Sequence, residues 1–443
     1  MNGIRLLGLS AFDHYMMVSL TQAFARAITV QKSVFAHVVV GNTAAHEINT
    51  WAQDIGLAAA VGIDAFALNI AYPDPNIITQ VSKAFTAAET SNSSFKLFFS
   101  FDYLGGGAPW PAAGENSVIS YLNQYKDSQS YFWYKGKPFV STFEGVDNVQ
   151  DWKLGGTIRS AVGDLFFVPD WSSLGPLGIK EHLDKIQGAF SWNMWPEGPN
   201  DMTTNLDEEW QKALGDKSYM MGVSPWFFRS ASGGKNWVWR GDNLWAHRWT
   251  QTAKVEPDFI QIVTWNDYGE SHYIGPIYNQ AEIPVGSAQY INDMPHDSWR
   301  DFIPYYIAKY KGTSFDIVRD QVQYWYRNSA VSGGADCGVV GNNANQGQVE
   351  TSPGSLVEDR VFVSAILKEP ADVYVQIGNN PPVKHSGVDG INHWNQPYDG
   401  PGEPKFSVLR NGIIVKSEKG SPISAKTKMS NGCTNYNAWV GSF

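Results

Sequence analysis

The chain has few charged residues, and its charge balance excludes several classes of partner. Charged side chains make up 17% of its 443 residues, and the net charge is −10. An acidic body does not attract nucleic acid or an anionic membrane surface, so neither is an expected partner. No uncharged apolar run reaches about 20 residues, the length that a membrane-spanning helix needs. The sequence therefore predicts a protein that neither crosses a membrane nor binds nucleic acid.

Motifs for cofactors and metal ions are also lacking. The chain has no Walker loop and no Gly-x-Ser-x-Gly element. The turn after the first predicted strand, residues 41–44, is not a glycine-rich phosphate turn. A metal-dependent hydrolase would need two histidines on that strand, which carries only His37. We expect no cofactor and no bound metal.

Cysteine is scarce: only Cys337 and Cys433 are present, both late in the chain. Neither lies in a spacing that suggests zinc. In an oxidising compartment the two can form one disulfide, which makes them a disulfide candidate. Two unpaired thiols are the alternative, because sequence does not establish connectivity.

The N-terminal region has features of an export signal. Arg5 precedes apolar residues, and residues 23–25, Ala-Phe-Ala, have the small-x-small form of a cleavage site. Asp13 and His14 interrupt the apolar run, which a signal sequence would not do. We interpret residues 1–30 as a signal-like or disordered extension. We expect the protein to be secreted, associated with a cell wall and monomeric.

Aromatic residues, in contrast, are abundant. They form 14% of the chain, with 18 tryptophans. An indole offers a flat apolar face to the C–H side of a sugar ring, although a large barrel core also buries many rings. Composition alone leaves both interpretations open.

The hydrophobic pattern predicts eight alternating strand and helix units. Amphipathic stretches separate the strands, as in the run Ile77, Val81, Phe85 and Ala88. This alternation is typical of a (β/α)₈ TIM barrel, and we place the barrel at residues 31–312. An open doubly wound sheet competes, but it would need the missing phosphate turn. The predicted strands are 35–41, 65–71, 96–102, 138–143, 164–169, 188–193, 219–224 and 259–265.

The character of the sequence changes after Gly312. Residues 313–354 are predicted as linker and loops, because 328–354 are rich in Gly, Asn and Ser without periodicity. Alternating apolar runs then indicate a small all-β, sandwich-like domain at 355–443. Its clearest signal is Asn411-Gly412, a two-residue hairpin turn inside the last run.

The most informative stretch is 259–273, where a buried strand delivers two carboxylates among aromatic rings. Asp267 and Glu270 are three residues apart, next to Trp265, Tyr268 and Tyr273. Such a pair is typical of a glycoside hydrolase, in which one carboxyl donates a proton to the leaving oxygen and the other activates water or attacks the sugar itself. Capping of the next helix is the alternative for an isolated Asp-x-x-Glu pair.

The ends of the other predicted strands carry the same kinds of group. Nearly every exit offers a carboxylate, an amide or an aromatic ring, as expected of a carbohydrate cleft at the C-terminal face of a barrel. We expect sugar platforms at Trp192, Trp226 and Trp265. The other candidate substrate-binding residues are His37, Asn42, Asp102, Tyr103, Glu144, Asp170, Asn193, Asn266, His272 and Tyr273.

Four segments resemble the fungal α-1,3-glucanases (mutanases) of glycoside hydrolase family 71. They are residues 34–42, 99–103, 222–227 and 264–271, the last reading Thr-Trp-Asn-Asp-Tyr-Gly-Glu-Ser. The resemblance runs through the barrel into the β domain. It implies endo-hydrolysis of α-1,3-glucosidic bonds in an insoluble glucan, with inversion at the anomeric carbon. It also places the catalytic carboxylates at Asp267 and Glu270.

Inversion requires an acid and a base with room for water between them, at a carboxyl separation of about 6.5–9.5 Å. We assign Glu270 as the acid, because its aromatic surroundings should raise its pKa, and Asp267 as the base. The reverse assignment stays open. A much closer pair would transfer the base role to Asp102, Glu144 or Asp170.

Two alternatives remain from the sequence. One is a glucan-binding protein without activity, which has the same cleft but no working acid. The other is a glycosidase that acts on a different polysaccharide. Both alternatives keep the predicted cleft. In the first the carboxylates do not catalyse, and in the second the cleft walls fit another polysaccharide.

Overall fold

The computed structural model describes residues 32–91, 94–231, 235–343, 346–427 and 429–443. The predicted N-terminal extension, residues 1–30, lies outside these ranges. Statements on the fold and the site refer to the described residues. Residues Ser33–Phe443 form one compact unit, and the predicted domain boundaries stay a prediction.

Eight strands of the N-terminal region run parallel in one sheet. Along the sheet the order is β4-β3-β2-β1-β8-β7-β6, and β5 pairs with the other side of β4. The strands are Ser33–Val39 (β1), Ala65–Ala71 (β2), Lys96–Asp102 (β3), Lys137–Phe143 (β4), Phe166–Phe167 (β5), Gly188–Ser191 (β6), Ser218–Val223 (β7) and Phe259–Ile262 (β8).

The two ends of this sheet approach each other at one residue. Asp170 makes isolated parallel bridges to Phe143 on one side and to Phe190 on the other. The predicted strand 164–169 is only two residues long, and Pro169, which has no N–H for a ladder, follows soon after it. The parallel sheet is therefore curled, with its weakest pairing at β5.

Each parallel strand is followed by helical structure, so the predicted alternation is present. In the second helix Ile77, Val81, Phe85 and Ala88 are buried, as their spacing predicts. The main helices are Ile48–Ala60, Ile77–Thr90, Val118–Tyr125, Thr157–Val162, Asn205–Leu214, Leu244–Val255 and Ile303–Lys311. Shorter helical turns include Val149–Trp152, Gly175–Gly178, Ala288–Ile291 and Asp297–Phe302. No helix of the described residues is long and apolar enough to span a bilayer.

Phenylalanine rings fill the inside of the curled sheet. Phe35 of β1 lies 4.9 Å from Phe98 of β3, 5.4 Å from Phe139 of β4 and 5.6 Å from Phe259 of β8, measured between ring centroids. All four rings are fully buried. Rings from different strands thus meet in one packed layer, which leaves the carboxyl ends of the strands as the place for a cleft.

The C-terminal region consists of two four-stranded antiparallel sheets. One has the order β13-β10-β9-β16 and the other β12-β11-β14-β15. The strands are Gln321–Tyr326 (β9), Arg360–Leu367 (β10), Ala371–Ile377 (β11), Val383–Gly387 (β12), Gly390–Pro397 (β13), Pro404–Arg410 (β14), Ile413–Lys419 (β15) and Trp439–Ser442 (β16). The predicted turn Asn411-Gly412 joins β14 to β15, with φ of 51° and 76°, both positive as in a type I′ turn.

The two antiparallel sheets share a second hydrophobic core. Tyr324 of β9 stacks on Phe406 of β14 with ring centroids 3.8 Å apart. The opposite face of the first sheet, which carries Trp325 and Phe362, joins the core of the parallel sheet instead. The first sheet therefore lies between the parallel sheet and the second antiparallel sheet.

The segment 313–354, predicted as linker and loops, differs from that expectation. It contains β9, the strand that pairs with both β10 and β16. Val322, Tyr324 and Tyr326 of this strand face the second core, whereas Trp325 faces the first. The strand is buried on both faces, and its polar–apolar alternation covers only Gln321 to Tyr324 before the aromatic run Tyr324-Trp325-Tyr326, which is too short a pattern to reveal it.

Candidate active site

A cavity of 370 Å³ opens at the carboxyl ends of the parallel strands. Both predicted catalytic carboxylates, Asp267 and Glu270, lie in its wall. A second cavity of 890 Å³ adjoins it, since Phe143, Trp192 and Gln346 line both. The first cavity is also lined by His37, Val39, Asn69, Asp102, Gly105, Trp195, Phe227, Trp237, Trp239, Thr264 and Asn343.

The acid pair lies on a tight turn directly after β8. The Thr264 hydroxyl oxygen accepts a hydrogen bond from the Asp267 N–H at 2.8 Å. Asp267 Oδ1 in turn accepts from the Glu270 N–H at 3.1 Å. Ser271 then adopts a left-handed conformation with φ of 61°, which reverses the chain towards His272. The turn therefore places both carboxylates on the same side of the cavity.

His272 connects the two ends of this turn. Its Nε2 lies 3.1 Å from Glu270 Oε2, and its Nδ1 lies 3.0 Å from Thr264 Oγ1. The ring is fully buried, and burial lowers the pKa of His272 to about 4. The imidazole is therefore neutral near neutral pH, and it contacts the site through Glu270 and not through the cavity itself.

Burial favours the protonated form of both carboxyl groups. It raises the pKa of Glu270 to about 7, and only the distant positive charge of Arg229 opposes it. Burial and the neighbouring charge of Glu270 raise the pKa of Asp267 to about 6. Glu270 thus holds its proton at a pH where an ordinary glutamate has lost it, as a general acid must.

The distance between the two carboxylates corrects one expectation. An oxygen of Asp267, an oxygen of Glu270 and a nitrogen of His272 all lie within 4.8 Å of one another. This is closer than the separation of about 6.5–9.5 Å that suits an inverting pair. A pair this close does not match the geometry of an inverting pair, and the three reserve carboxylates are the other candidates for the base.

Of the three reserves, Asp102 lines the same cavity as the pair. Asn69 donates to its Oδ2 at 3.3 Å, and the N–H groups of Leu104 and Gly105 donate to its Oδ1 at 2.8 and 2.6 Å. A Cβ on Gly105 would lie 2.4 Å from Asp102 Oδ2, so only glycine fits there. Burial raises the pKa of Asp102, and these three donors oppose the rise.

The other two reserves lie elsewhere. Glu144 lines the second cavity and accepts from the N–H and hydroxyl of Ser173 at 2.9 and 2.5 Å. Asp170 is fully buried in the strand wall, where its Oδ1 accepts from the hydroxyl of Ser172 at 2.5 Å. Neither faces the acid pair across the first cavity.

The predicted hydroxyl partners are divided between the two cavities. His37 lines the first, and Tyr103 and Asn193 line the second. Burial lowers the pKa of His37 to about 3, so this imidazole is neutral. Asn42 donates to the Asn266 carbonyl oxygen at 3.1 Å and lines neither cavity.

Several predicted substrate contacts are structural instead. Trp226 is fully buried, donates to the Tyr436 carbonyl oxygen at 2.9 Å and has the Arg327 guanidinium 4.6 Å from its ring centroid. Trp265 is only 1% exposed. Neither indole can offer a face to a sugar, so the platform assignment is corrected at both positions. Trp192, half-buried between the cavities, keeps an exposed face.

Two further predicted contacts hold the strand ends in place. The side-chain amide of Asn266 accepts from the Val39 N–H at 2.8 Å and donates to the Val39 carbonyl at 3.0 Å. The Tyr273 hydroxyl donates to the Met294 carbonyl oxygen at 2.7 Å, and its ring stacks on His296. Both side chains are buried and fix the turn that carries the acid pair.

The sequence interpretation missed part of the aromatic wall. Trp195 and Trp239 stack with centroids 4.9 Å apart, and Phe227 stacks on Trp237 at 4.8 Å. The signal was the repeated tryptophan of Trp237-Val238-Trp239, in a long loop without periodicity. Asn343 and Gln346 were also missed, because they lie in the segment predicted as linker.

Cys337 and Cys433 are joined by a disulfide across a sequence separation of 96 residues. The Asp267–Glu270–His272 group has the donor types that can ligate a divalent cation. The hydrogen bond between His272 and Glu270 joins two of those donors directly. This hydrogen bond explains why the donors lie together in the acid site without a bound cation.

A carboxyl whose pKa is raised to about 7, set among indole walls at the strand ends, fits the acid of a glycoside hydrolase. The family model of glycosyl hydrolase family 71 matches residues 30–443, and the chain belongs to this family.

Similar proteins include glucan endo-1,3-alpha-glucosidase agn1 of Schizosaccharomyces pombe, which is 35% identical over 96% of this chain and 98% of its own length. A mutanase of Penicillium rubens is 36% identical over 93% of this chain and 88% of its own. Among solved structures, the GH99 endo-alpha-mannosidase of Bacteroides thetaiotaomicron aligns over 65% of this chain and 99% of its own, with 14% identity and a TM-score of 0.45.

Proposed function

We propose that this glycoside hydrolase cleaves α-1,3-glucosidic bonds within insoluble α-1,3-glucan. The names of the two relatives, a glucan endo-1,3-alpha-glucosidase and a mutanase, support this substrate. The observation that carries the chemistry is Glu270, a partly exposed carboxyl whose pKa is raised to about 7 beside a ring-lined cavity. The protein needs no cofactor for this reaction.

The fold behind this function is a closed (β/α)₈ barrel followed by a β-sandwich. The bridges from Asp170 to Phe143 and Phe190 support closure between β4, β5 and β6. The shared core of the two antiparallel sheets supports the sandwich. In a closed barrel the eight strand ends surround a single cleft, which is where both cavities lie.

In the proposed mechanism Glu270 is the general acid. It gives its proton to the glycosidic oxygen as the bond to the anomeric carbon breaks. A water attacks the opposite face of that carbon and loses its proton to Asp102, so the product has the inverted configuration. Asp267 stays next to Glu270, and its negative charge, when ionised, helps Glu270 to keep the proton.

The closeness of Asp267 and Glu270 favours a second candidate mechanism. Retaining enzymes place their two carboxyl groups about 5–5.5 Å apart, and one attacks the anomeric carbon directly. In that case Asp267 is the nucleophile and Asp102 binds a hydroxyl. Proton NMR of the first product formed from an α-1,3-linked oligosaccharide distinguishes the two, because a β-anomer means inversion and an α-anomer means retention.

The size and polarity of the cleft fit a polymer. The second cavity continues from the first and presents carboxylates and amides, which bind hydroxyl groups. Trp192 lies at the junction, so we propose it as the platform for a sugar between the two cavities. A cleft that extends past the acid site on a chain substrate is consistent with internal cleavage.

Such an enzyme acts outside the cell, on a wall or matrix glucan. The proposal that this chain is secreted is supported by its signal-like N-terminal sequence and by its disulfide, a bond typical of oxidising compartments.

The test of the function is reducing-sugar release from a panel of insoluble glucans. We expect release from α-1,3-glucan and none from β-1,3-glucan or α-1,4-glucan. Release from another polymer alone would overturn the substrate. Retention on the α-1,3-glucan pellet without release would overturn the enzymatic role in favour of a binding protein.

A further inference from the structure

One wall of the cleft comes from the C-terminal region and not from the parallel sheet. We call this segment the arm and define it as residues 337–343 and 346–349. Asn343 and Gln346 of the arm line the cavity with the acid pair, and Gln346 and Gln348 line the second cavity. The arm therefore faces both halves of the proposed substrate path.

Backbone pairing fixes the arm to the ring-bearing loop of the parallel region. Val339–Gly341 forms a short parallel ladder with Asn236–Val238, in which Val340 lies opposite Trp237. The Asn342 N–H extends the ladder by donating to the Val238 carbonyl oxygen at 3.0 Å. Trp237 of the cavity wall is thus held by a strand that follows it by about a hundred residues in the chain.

Side chains and the disulfide hold the two ends of the arm. Asn342 is buried, accepts from the Gly198 N–H at 3.0 Å and donates to the Val349 carbonyl oxygen at 2.8 Å. At the other end the disulfide joins Cys337 to Cys433. The arm is anchored by side chains and by the disulfide, and its described residues Asn343 and Gln346 line the cavity.

Gln348 connects the arm to the aromatic wall. Its side-chain oxygen accepts from the indole N–H of Trp239 at 2.7 Å and from the N–H of Asn343 at 2.9 Å. Trp239 stacks on Trp195, whose ring lies 5.5 Å from that of His272. The Gln348 amide oxygen thereby orients Trp239 and Asn343. The ring contacts continue from Trp239 to His272, which is hydrogen-bonded to Glu270.

We propose that Gln348 is a positioning residue and that the arm determines specificity for the length of the glucan chain. This inference rests on the proposed function, and it assigns part of the substrate site to the C-terminal region. Gln348 holds Trp239 and Asn343 in place, while Gln346 contacts the sugar units that pass from the first cavity to the second. The parallel region by itself then has an incomplete cleft.

The test compares kcat and KM of Gln348→Leu on short and long α-1,3-linked oligosaccharides, with thermal unfolding in parallel. Leucine keeps the volume and removes the shared acceptor. We expect KM for the long substrate to rise about tenfold, the order expected when two donors lose their partner. KM for the short substrate should rise less, and kcat should stay within about twofold, since the acid pair is untouched.

Two controls separate positioning from general damage. Gln348→Glu keeps an acceptor oxygen and should restore most of the affinity for the long substrate. Gln376→Leu alters another glutamine of the C-terminal region, whose side-chain N–H donates to the Asn380 carbonyl oxygen at 3.0 Å, and should change neither KM. If Gln348→Leu does not fold, Gln346→Ala carries the same KM test, because Gln346 is exposed.

An unchanged KM ratio between long and short substrates in Gln348→Leu, or in Gln346→Ala where that variant carries the test, overturns the inference. An equal rise in KM for both substrates, together with a lower melting temperature, also overturns the inference, since a merely structural role predicts that pattern. A wild type that hydrolyses none of these oligosaccharides contradicts the proposed function instead, which keeps the two failures distinguishable.

Discussion

Replacing Glu270 by glutamine should stabilise the protein at alkaline pH while it abolishes activity. The side chain is 30% exposed, and burial raises its pKa from 4.5 to about 7. The unfolded chain releases this proton near pH 4.5, whereas the folded protein keeps it until about pH 7. The folded state therefore loses stability as the pH rises between those values, and the full penalty remains above pH 7.

The magnitude follows from the same pKa values. Ionising Glu270 in the folded state costs about 3 kcal/mol, or about 2 kcal/mol after allowance for its exposed fraction. Glutamine has similar volume, still contacts His272 and never ionises. At pH 8 we expect Glu270→Gln to be about 2 kcal/mol more stable than the wild type, with no such gain at pH 4, where the wild-type carboxyl is protonated in both states.

Denaturant unfolding of both proteins at pH 4, 6 and 8 measures this difference. Glu208→Gln is the matched control, since hydrogen bonds to Lys254 and Thr204 lower the pKa of that exposed glutamate, and its replacement should give no gain at pH 8. A difference in unfolding free energy between Glu270→Gln and the wild type that is the same at pH 4 and pH 8 would refute the reasoning. A lower stability of Glu270→Gln at pH 8 would refute it as well.

Three further results are expected. The kcat of the wild type should fall as the pH rises through about 7, because Glu270 must be protonated, and a pH–rate profile flat to pH 9 would contradict this. Burial alone would lower the pKa of His46, but hydrogen bonds to Asp54 and Glu282 raise it to about 9. Its stabilisation is complete below pH 6.5 and lost as the pH rises through 9, so His46→Gln should lower the melting temperature at pH 6 much more than at pH 10. Trp192→Ala should raise KM for the long oligosaccharide about tenfold with little change in melting temperature, and an unchanged KM would remove it as a platform.

The periodic part of the fold could be predicted from the sequence because each strand and helix carries its own pattern. Residues 65–71 and 96–102 were predicted with the bounds that the structure has, since Pro73 follows the first run closely and Asp102 ends the second. The fifth strand was shortened by Pro169, which is a local effect. β9 escaped prediction because both of its faces are buried and its polar–apolar alternation covers only Gln321 to Tyr324.

Strand ends decide where some of the predicted site residues lie, and distant packing decides the place of others. His37 lies in β1, Asp102 ends β3 and Asp267 lies on the turn after β8, so the topology brings them to one face. Trp226 also follows a strand, yet Tyr436 and Arg327, at least a hundred residues later, bury it. No periodicity within a sequence window can indicate that contact.

The separation within the acid pair was beyond prediction for a different reason. It depends on two hydrogen bonds that tighten the turn after β8: the Asp267 N–H donates to the Thr264 hydroxyl oxygen, and the Glu270 N–H donates to Asp267 Oδ1. Sequence spacing fixes only how many residues separate the carboxylates. The separation therefore comes from the structure, and the base role of Asp102 is part of the proposed mechanism.

The most direct test of the account is turnover of α-1,3-glucan by Asp267→Asn and Glu270→Gln beside the wild type, with unfolding of each variant followed in parallel. The account predicts that the wild type releases reducing sugar and that Glu270→Gln loses several powers of ten in turnover at full fold stability. Asp267→Asn should lose a large part of its turnover as well, because its carboxylate is the neighbour of the acid. Near wild-type turnover in Glu270→Gln would contradict the assignment of the acid and, with it, the proposed site.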